Sequence, residues 1–422
     1  MAKNQFQKVR GMQDILPADQ IAWQHIVQTF TEICEAAGLS RISTPILEDA
    51  QLFIRGVGEA TEVVHKEMYT LTDRGKGVLA LKPEGTAGVV RTYLENGMPS
   101  WPKPVGLFYI EPLFRYDRPQ EGRYRQHHQL GVEIFGVDSP TADVHTIALA
   151  NRFYTRLGLA TSLQVNSIGS LEARKRYQEA LRDYFKPHEP KLTDLAKKQL
   201  GSNPLRLLDS KEANMQELIE KAPQILDYLD KSSKEHFAAV LEALDDLGIG
   251  YDVNPRLVRG LDYYNQTVFE FKGTRQGSQD SLGGGGRYDG LVELLGGQPT
   301  PAVGFGLGLE RIKLELEATG HKLEAQKPDV YVVYLGSEAQ KAALTLSEKL
   351  LDDGLSVRID LTTKTMKDQL ARASKFEAKY ALIIGETELK AKKAILKDLK
   401  TGNQEPVDVA KASEKLAVLL SS

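Results

Sequence analysis

Apolar and polar positions alternate most clearly over residues 107–136, LFYIEPLFRYDRPQEGRYRQHHQLGVEIFG. Successive strand residues point to opposite faces, so parity gives each residue a side. Phe108, Ile110, Phe114 and Tyr116, with Pro112, fall on one face of the first arm; Leu130, Val132 and Ile134 share one face of the return arm. The opposite faces carry Tyr109, Glu111, Leu113, Arg115 and Asp117, then Arg125, His127, Gln129, Gly131 and Glu133. This predicts a hairpin with one greasy and one charged side, joined by a loop over 117–123. A solvated outer face would give the same alternation. Arg118, Arg123 and Arg125 tilt the balance, because guanidiniums so close in sequence repel unless an anion sits between them. The hairpin reads as a floor for a polyanionic small molecule, with phosphate favoured.

Elsewhere the periodicity changes. Residues 19–37 read as an amphipathic helix, after a turn-rich RGMQDILP segment at 10–17. Extended chain is predicted over 42–49 and 52–57, with Pro45 favouring an edge or a subunit border. Residues 78–86, VLALKPEGT, read as a short strand and a tight turn, with a helix from Thr86 to about residue 96. The turn presents Glu84 and Thr86, which could hold a substrate ammonium; helix capping by Thr86 is the plainer alternative. A helix follows over 141–157, and helical periodicity dominates 171–247, a block without evident chemistry that looks like an insertion. Strand signals resume at 251–253. ATGHKLEAQKP at 318–328 reads as a linker, and strands alternate with helices beyond it, predicting a small α/β domain over 328–422.

Composition adds bounds. A chain of 422 residues, 41% hydrophobic and 26% charged, suits two or three globular domains. No apolar run approaches the length of a membrane span, and the first residues lack the apolar core of a secretion signal. A net charge of −3 excludes a generally cationic nucleic-acid binder, so RNA would meet local patches such as Lys390, Lys392, Lys393, Lys397 and Lys400. Cys34, the single cysteine, falls in the first helix and reads as core. The eight histidines lack zinc-site spacing.

Three further segments carry candidate chemistry. RLVRGLDYYNQTVFEF at 256–271 sets Arg259, Asp262, Tyr263 and Tyr264 just before a β-rich run. SLGGGGRYDG at 281–290 lacks the GK[ST] ending of a phosphate-binding loop; its glycines suggest close approach of backbone to a ligand rather than a linker. AVGFGLGLERIK at 302–313 enters a helix with Arg311 in the first turn, where a cation opposes the helix dipole and an anionic partner would offset the cost.

Together these segments resemble the histidyl-tRNA synthetase family, of the bacterial type and class II. The 107–136 hairpin is similar to class II motif 2, 302–313 to motif 3 and 42–57 to the weaker motif 1. RGLDYY at 259–264 and GGRYDG at 285–290 resemble signatures of the histidine enzyme. The resemblance implies an α+β catalytic domain over 1–325 with an antiparallel class II synthetase sheet. It also implies a helical insertion at about 171–247 that helps hold the tRNA, and a C-terminal α/β anticodon-binding domain over 328–422. It implies a cytoplasmic homodimer that uses ATP with Mg²⁺, L-histidine and tRNA(His), with neither zinc nor an organic cofactor.

By the same resemblance, Arg115, Arg259 and Arg311 are the catalytic groups, with Arg115 on the α-phosphate, Arg311 at the γ-phosphate and Arg259 between substrate carboxylate and α-phosphate. Arg123 also meets the phosphates. Glu84, Thr86 and Gln129 hold the amino acid's ammonium and carboxylate. Glu133, Tyr264 and Tyr288, with Tyr263, bind at the imidazole. Arg118 and Gln120 are candidates for the acceptor end of the tRNA. Two positions depart from the family's pattern: His127 stands where Phe is usual on the adenine, and Asp117 where Glu is usual. The rival reading is a silent paralogue that binds histidine and regulates another enzyme, as the regulatory subunit of ATP phosphoribosyltransferase does. Such paralogues typically lose the C-terminal domain and several ATP arginines, all present here.

Overall fold

The computed structural model describes residues 6–59, 61–210, 213–275, 280–320, 323, 325–362 and 365–421. The chain divides into two compact units, Met1–Leu323 and Glu324–Ser422. The first is built on a mixed sheet of eight strands among the described residues. Their order is Ser40–Arg41, Val105–Phe114, Gln126–Phe135, Ala302–Gly308, Ser281–Arg287, Asn265–Lys272, Ser162–Ser167 and Asp252–Val253. Interior neighbours run antiparallel, while each short edge strand pairs in parallel.

The predicted hairpin is the sheet's longest pair. Its register sets Tyr109 opposite Gly131, Glu111 opposite Gln129 and Leu113 opposite His127 on one face. Phe108, Leu130, Val132 and Ile134 face the main core, where they pack with Phe30, Phe153 and Phe305. Helices Pro17–Ala36, Pro140–Arg156 and Leu309–Ala318 cover that side. Cys34 lies within it, and burial pushes its thiol up to about 12, which keeps it protonated and inert.

Three expectations change. Residues 52–57 are not extended: Ala50–Val57 is a helix, capped by the Asp49 carboxylate, which accepts from the Gln51 amide at 2.8 Å. Its β-branched and apolar residues read as strand, but Phe53 and Val57 are fully buried at helical spacing. The helical block also splits. Leu171–Phe185 and the short segments to about residue 228 share a separate core around Tyr177, Leu207 and Met215. Helix Lys231–Asp246 instead packs Phe237, Val240 and Leu244 into the main core. Finally, the expected linker over 318–328 overlaps the end of helix Leu309–Ala318, and its residues 321, 322 and 324 lie outside the described residues.

The second unit carries a sheet ordered Val357–Ile359, Val330–Tyr334, Tyr380–Ile384, Lys393–Asp398 and Gln404–Asp408. The first three strands are parallel, joined through helices Ser337–Asp352 and Met366–Lys375, and a hairpin adds the last two. Lys390, Lys392, Lys393 and Lys400 are exposed along this hairpin side.

Candidate active site

The polar face of the hairpin floors a cleft of about 900 Å³ in the first unit. Arg115, Arg123, Arg259 and Arg311 all line it, although they come from three separate segments: the hairpin with its loop, the 256–264 loop and helix Leu309–Ala318. Two of them are aimed by backbone carbonyls. Arg115 Nε donates to Pro83 O at 2.7 Å, in the turn that carries Glu84. Arg311 Nε donates to Gly122 O at 2.9 Å and its Nη1 to Ser281 O at 2.8 Å. Burial, then the like charges of Arg123 and Arg115, pull the Arg311 guanidinium below its usual value. The cleft therefore carries positive charge in excess, and an anion would relieve it.

Arg259 extends from the 256–264 loop, and its Nη1 meets Glu270 Oε1 at 2.7 Å. The same oxygen accepts from Ser281 Oγ at 2.8 Å. Among the described residues, the Arg259 Nε is buried without a hydrogen-bond partner. Gly284 leaves room for this arrangement, since a Cβ there would meet Arg259 Nη1 at 3.1 Å. The tetraglycine is thus a packed central strand rather than a linker, and neighbouring backbone crowds each of its glycines.

At the other end lies a buried polar cluster. Thr86 Oγ1 donates to Glu133 Oε1 at 2.8 Å, and Tyr109 OH to Glu133 Oε1 at 3.3 Å and to Gln129 Oε1 at 3.0 Å. Tyr288 OH donates to the other Glu133 oxygen. Burial raises the Glu133 carboxyl to about 8, with the nearby Glu84 charge adding to the rise. Gly304 and Gly306 face Glu133 and Gln129 across the sheet, where a Cβ would collide with each side chain. Tyr263 and Tyr264 line the cleft beside this cluster, Tyr263 OH lying 3.4 Å from Glu84 Oε2.

Glu84, Thr86, Gln129, Tyr263 and Tyr264 line the cleft, whereas Glu133 and Tyr288, each 1% exposed, form the layer beneath it. The two readings of the 84–86 turn also separate. Glu84 caps the helix, accepting from the Thr86 and Ala87 amides at 2.9 and 2.8 Å, while the Thr86 hydroxyl is spent on Glu133.

The trio of loop arginines does not converge on one site. Only Arg123 lines the cleft. Arg125 lies over the Tyr116 ring at 3.7 Å, and Arg118 is exposed. The loop relieves its own repulsion through Asp117, which accepts from Arg123 Nε and whose carbonyl accepts from Arg125 Nε at 3.1 Å. Asp117 is thereby committed to Arg123, and Gln120 is exposed at the loop tip. His127 lines the cleft; burial, then Arg115 and Arg311, push it down to about 3, so its ring is neutral at physiological pH.

Sequence reasoning missed several partners. Glu270 holds Arg259, Glu67 approaches Arg123 at 3.6 Å, and Glu310 fixes His128 through its amide and ring at 2.9 Å. It also missed the buried Lys82–Glu111 pair, which Thr44 joins from the 42–46 segment. Glu111 was on the correct face by parity, but nothing local linked it to Lys82.

A family model for histidyl-tRNA synthetase matches residues 11–312. The chain belongs to the histidyl-tRNA synthetase family. An anticodon-binding domain model matches residues 329–419. Among solved structures, the chain is similar to the apo histidyl-tRNA synthetase of S. aureus, at 35% identity and TM-score 0.83, over 98% of this chain and 100% of that one. It is also similar to an ATP phosphoribosyltransferase regulatory subunit/histidyl-tRNA synthetase from Bacillus halodurans, at 25% identity and TM-score 0.65, over 90% and 98%. A histidyl-tRNA synthetase from Nostoc sp. PCC 7120, 20% identical with TM-score 0.70 over 99% and 100%, shares the fold. As a histidyl-tRNA synthetase, the chain activates L-histidine with ATP and transfers it to tRNA(His). The family uses ATP, normally with Mg²⁺. Among the described residues, no helix is long and apolar enough to cross a membrane.

Proposed function

We propose that the cleft performs activation through its four arginines, with ATP and histidine laid end to end along the hairpin's polar face. The carboxylate of histidine attacks the α-phosphorus, a new C–O–P bond forms, and pyrophosphate leaves with the electron pair of the broken P–O bond. Charge grows on phosphate oxygens, so fixed cations are the catalytic requirement and no protein nucleophile is needed. In this reading Arg115 holds the α-phosphate and Arg311 the γ-phosphate, Arg123 joins them, and Arg259 spans the carboxylate and the α-phosphate. The observation that carries it is the convergence of these guanidiniums, each oriented by a carbonyl or carboxylate, in one cleft.

Histidine binds at the other end. Glu84 and Thr86 take the ammonium, and Gln129, with Arg259, the carboxylate. Tyr264 and Glu133 take the two ring nitrogens, while Tyr263 packs beside them and Tyr288 braces Glu133. Asp117 lies toward the adenine amino group and shares Arg123, and the loop's Arg118 and Gln120 meet the tRNA acceptor end. The chain works as a cytoplasmic homodimer. Exposed Ile46, Leu47 and Val78 around the strands Leu47–Asp49 and Val78–Leu81 support a subunit border there.

Histidine-dependent ATP–pyrophosphate exchange tests the whole reading. The enzyme should show it with histidine alone among amino acids; a histidine-binding regulator should show none. The adenine contact has its own test. Because His127 is neutral, it stacks as a small aromatic ring, and His127→Phe should lower the ATP KM a few-fold by adding stacking area. An unchanged or higher KM would count against that contact.

A further inference from the structure

We propose that the helical insertion positions the histidine pocket: Arg174, Asn203 and Arg206 hold the 259–264 loop through Asp262, so the seating of the insertion sets histidine affinity. The inference rests on the reading that Tyr263 and Tyr264 hold histidine. Asp262 sits between Leu261 and Tyr263, which line the cleft, yet does not line it itself. Its carboxylate accepts from Asn203 Nδ2 at 3.0 Å and from Arg206 Nη2 at 3.2 Å. Arg174 Nη1 donates to Asp262 O at 2.8 Å and to Tyr264 O at 3.2 Å, so one guanidinium grips the loop on both sides of Tyr263.

The opposite flank is closed by helix Ala50–Val57. Asp262 N donates to Val57 O at 3.2 Å, and Gly58 follows at φ +104, where a Cβ would meet Asp262 Oδ2 at 2.6 Å. Only glycine adopts that conformation readily and leaves the carboxylate its place. A second observation is independent of the charges. Tyr264 and Leu257 are buried in the insertion's own apolar core with Tyr177 and Leu207, and Tyr263 packs against it. The insertion thus supplies the back wall of the pocket as well as its polar clamp.

The Arg206–Asp262 pair adds little to global stability, since the Asp262 side chain is 31% exposed and water screens it. What it fixes is the direction in which the adjacent tyrosines point, and a small displacement there is costly for binding.

Steady-state exchange kinetics on the full-length Asn203→Ala/Arg206→Ala variant test this. Histidine KM should rise roughly tenfold, the weight of one charge-assisted hydrogen bond, while ATP KM stays within about twofold. Arg206→Lys should recover part of the loss. A purely structural role would instead lower the active fraction with both KM values unchanged. A histidine KM within about twofold of the parent would overturn the proposal. Should the double variant fold poorly, Asn203→Ala alone, followed by the Tm shift that histidine induces, reads the same loss; an unaltered shift would overturn it too. Tyr264→Phe separates the two layers. If it leaves histidine KM unchanged, the pocket reading fails; if it raises KM while the clamp variants do not, only the present inference fails.

Discussion

Replacing Arg259 by alanine should cut the rate of histidine-dependent ATP–pyrophosphate exchange by about 10²–10³-fold at saturating substrates, the usual weight of one preorganised donor to a developing anion. The fold should survive. Arg259 projects from a loop, is 21% exposed, and spends its charge on Glu270 rather than on the core. Its Nε is buried without a partner among the described residues, and that unsatisfied donor is the group the substrate would complete. Arg259→Lys should recover little, because an ammonium cannot span Glu270 and two substrate anions as a planar fork does. Single-turnover adenylate formation separates this from a binding defect, since the loss belongs in kcat with ATP and histidine KM values moving only a few-fold. Exchange within about threefold of the parent rate would remove Arg259 from the chemistry and leave Arg115, Arg123 and Arg311 to account for it.

The sequence made the hairpin legible because its polar and apolar faces follow a two-residue period over ten-residue strands, and a buried face specifies register strongly. Arg311 was legible too, since a cation in the first turn of a helix is locally unfavourable and asks for a reason. What local pattern could not supply was pairing at long range. Lys82 with Glu111 and Asp262 with Arg206 are each fixed by packing of distant segments. The loop arginines misled for the same reason. Nearness in sequence suggested repulsion awaiting an anion, whereas the loop folds so that Asp117 and the Tyr116 ring absorb Arg123 and Arg125. Ala50–Val57 was misread because β-branched and apolar residues in a short run carry no periodicity that separates strand from helix.

Glu133 should control how histidine binding responds to pH. Its carboxyl stands at about 8 in the free cleft, above the usual 4.5, because burial and the Glu84 charge oppose ionisation more than the Tyr288, Thr86 and Tyr109 donors favour it. The folded value is the raised one, so the stability gained from the protonated group is complete below pH 4.5 and is lost as pH rises through about 8. A neutral imidazole needs an acceptor for its ring N–H, so binding should draw the proton off Glu133 and release it to solvent near pH 7. Histidine KM should accordingly fall as pH is raised from about 7 toward 8, and histidine should stabilise the protein most at the upper end of that range. Glu133→Gln removes the titration, so the difference between parent and variant isolates this group from the titration of the substrate itself. With histidine bound, where Glu133 is ionised and accepts from the Thr86, Tyr109 and Tyr288 hydroxyls, the amide would instead turn a donor toward one of them and leave it unsatisfied in a buried layer. Together the lost charge and the stranded hydroxyl should lower kcat/KM for histidine about 10²-fold. A variant whose histidine KM keeps the same step near pH 8, or stays within about twofold of the parent, would show that another group receives the ring.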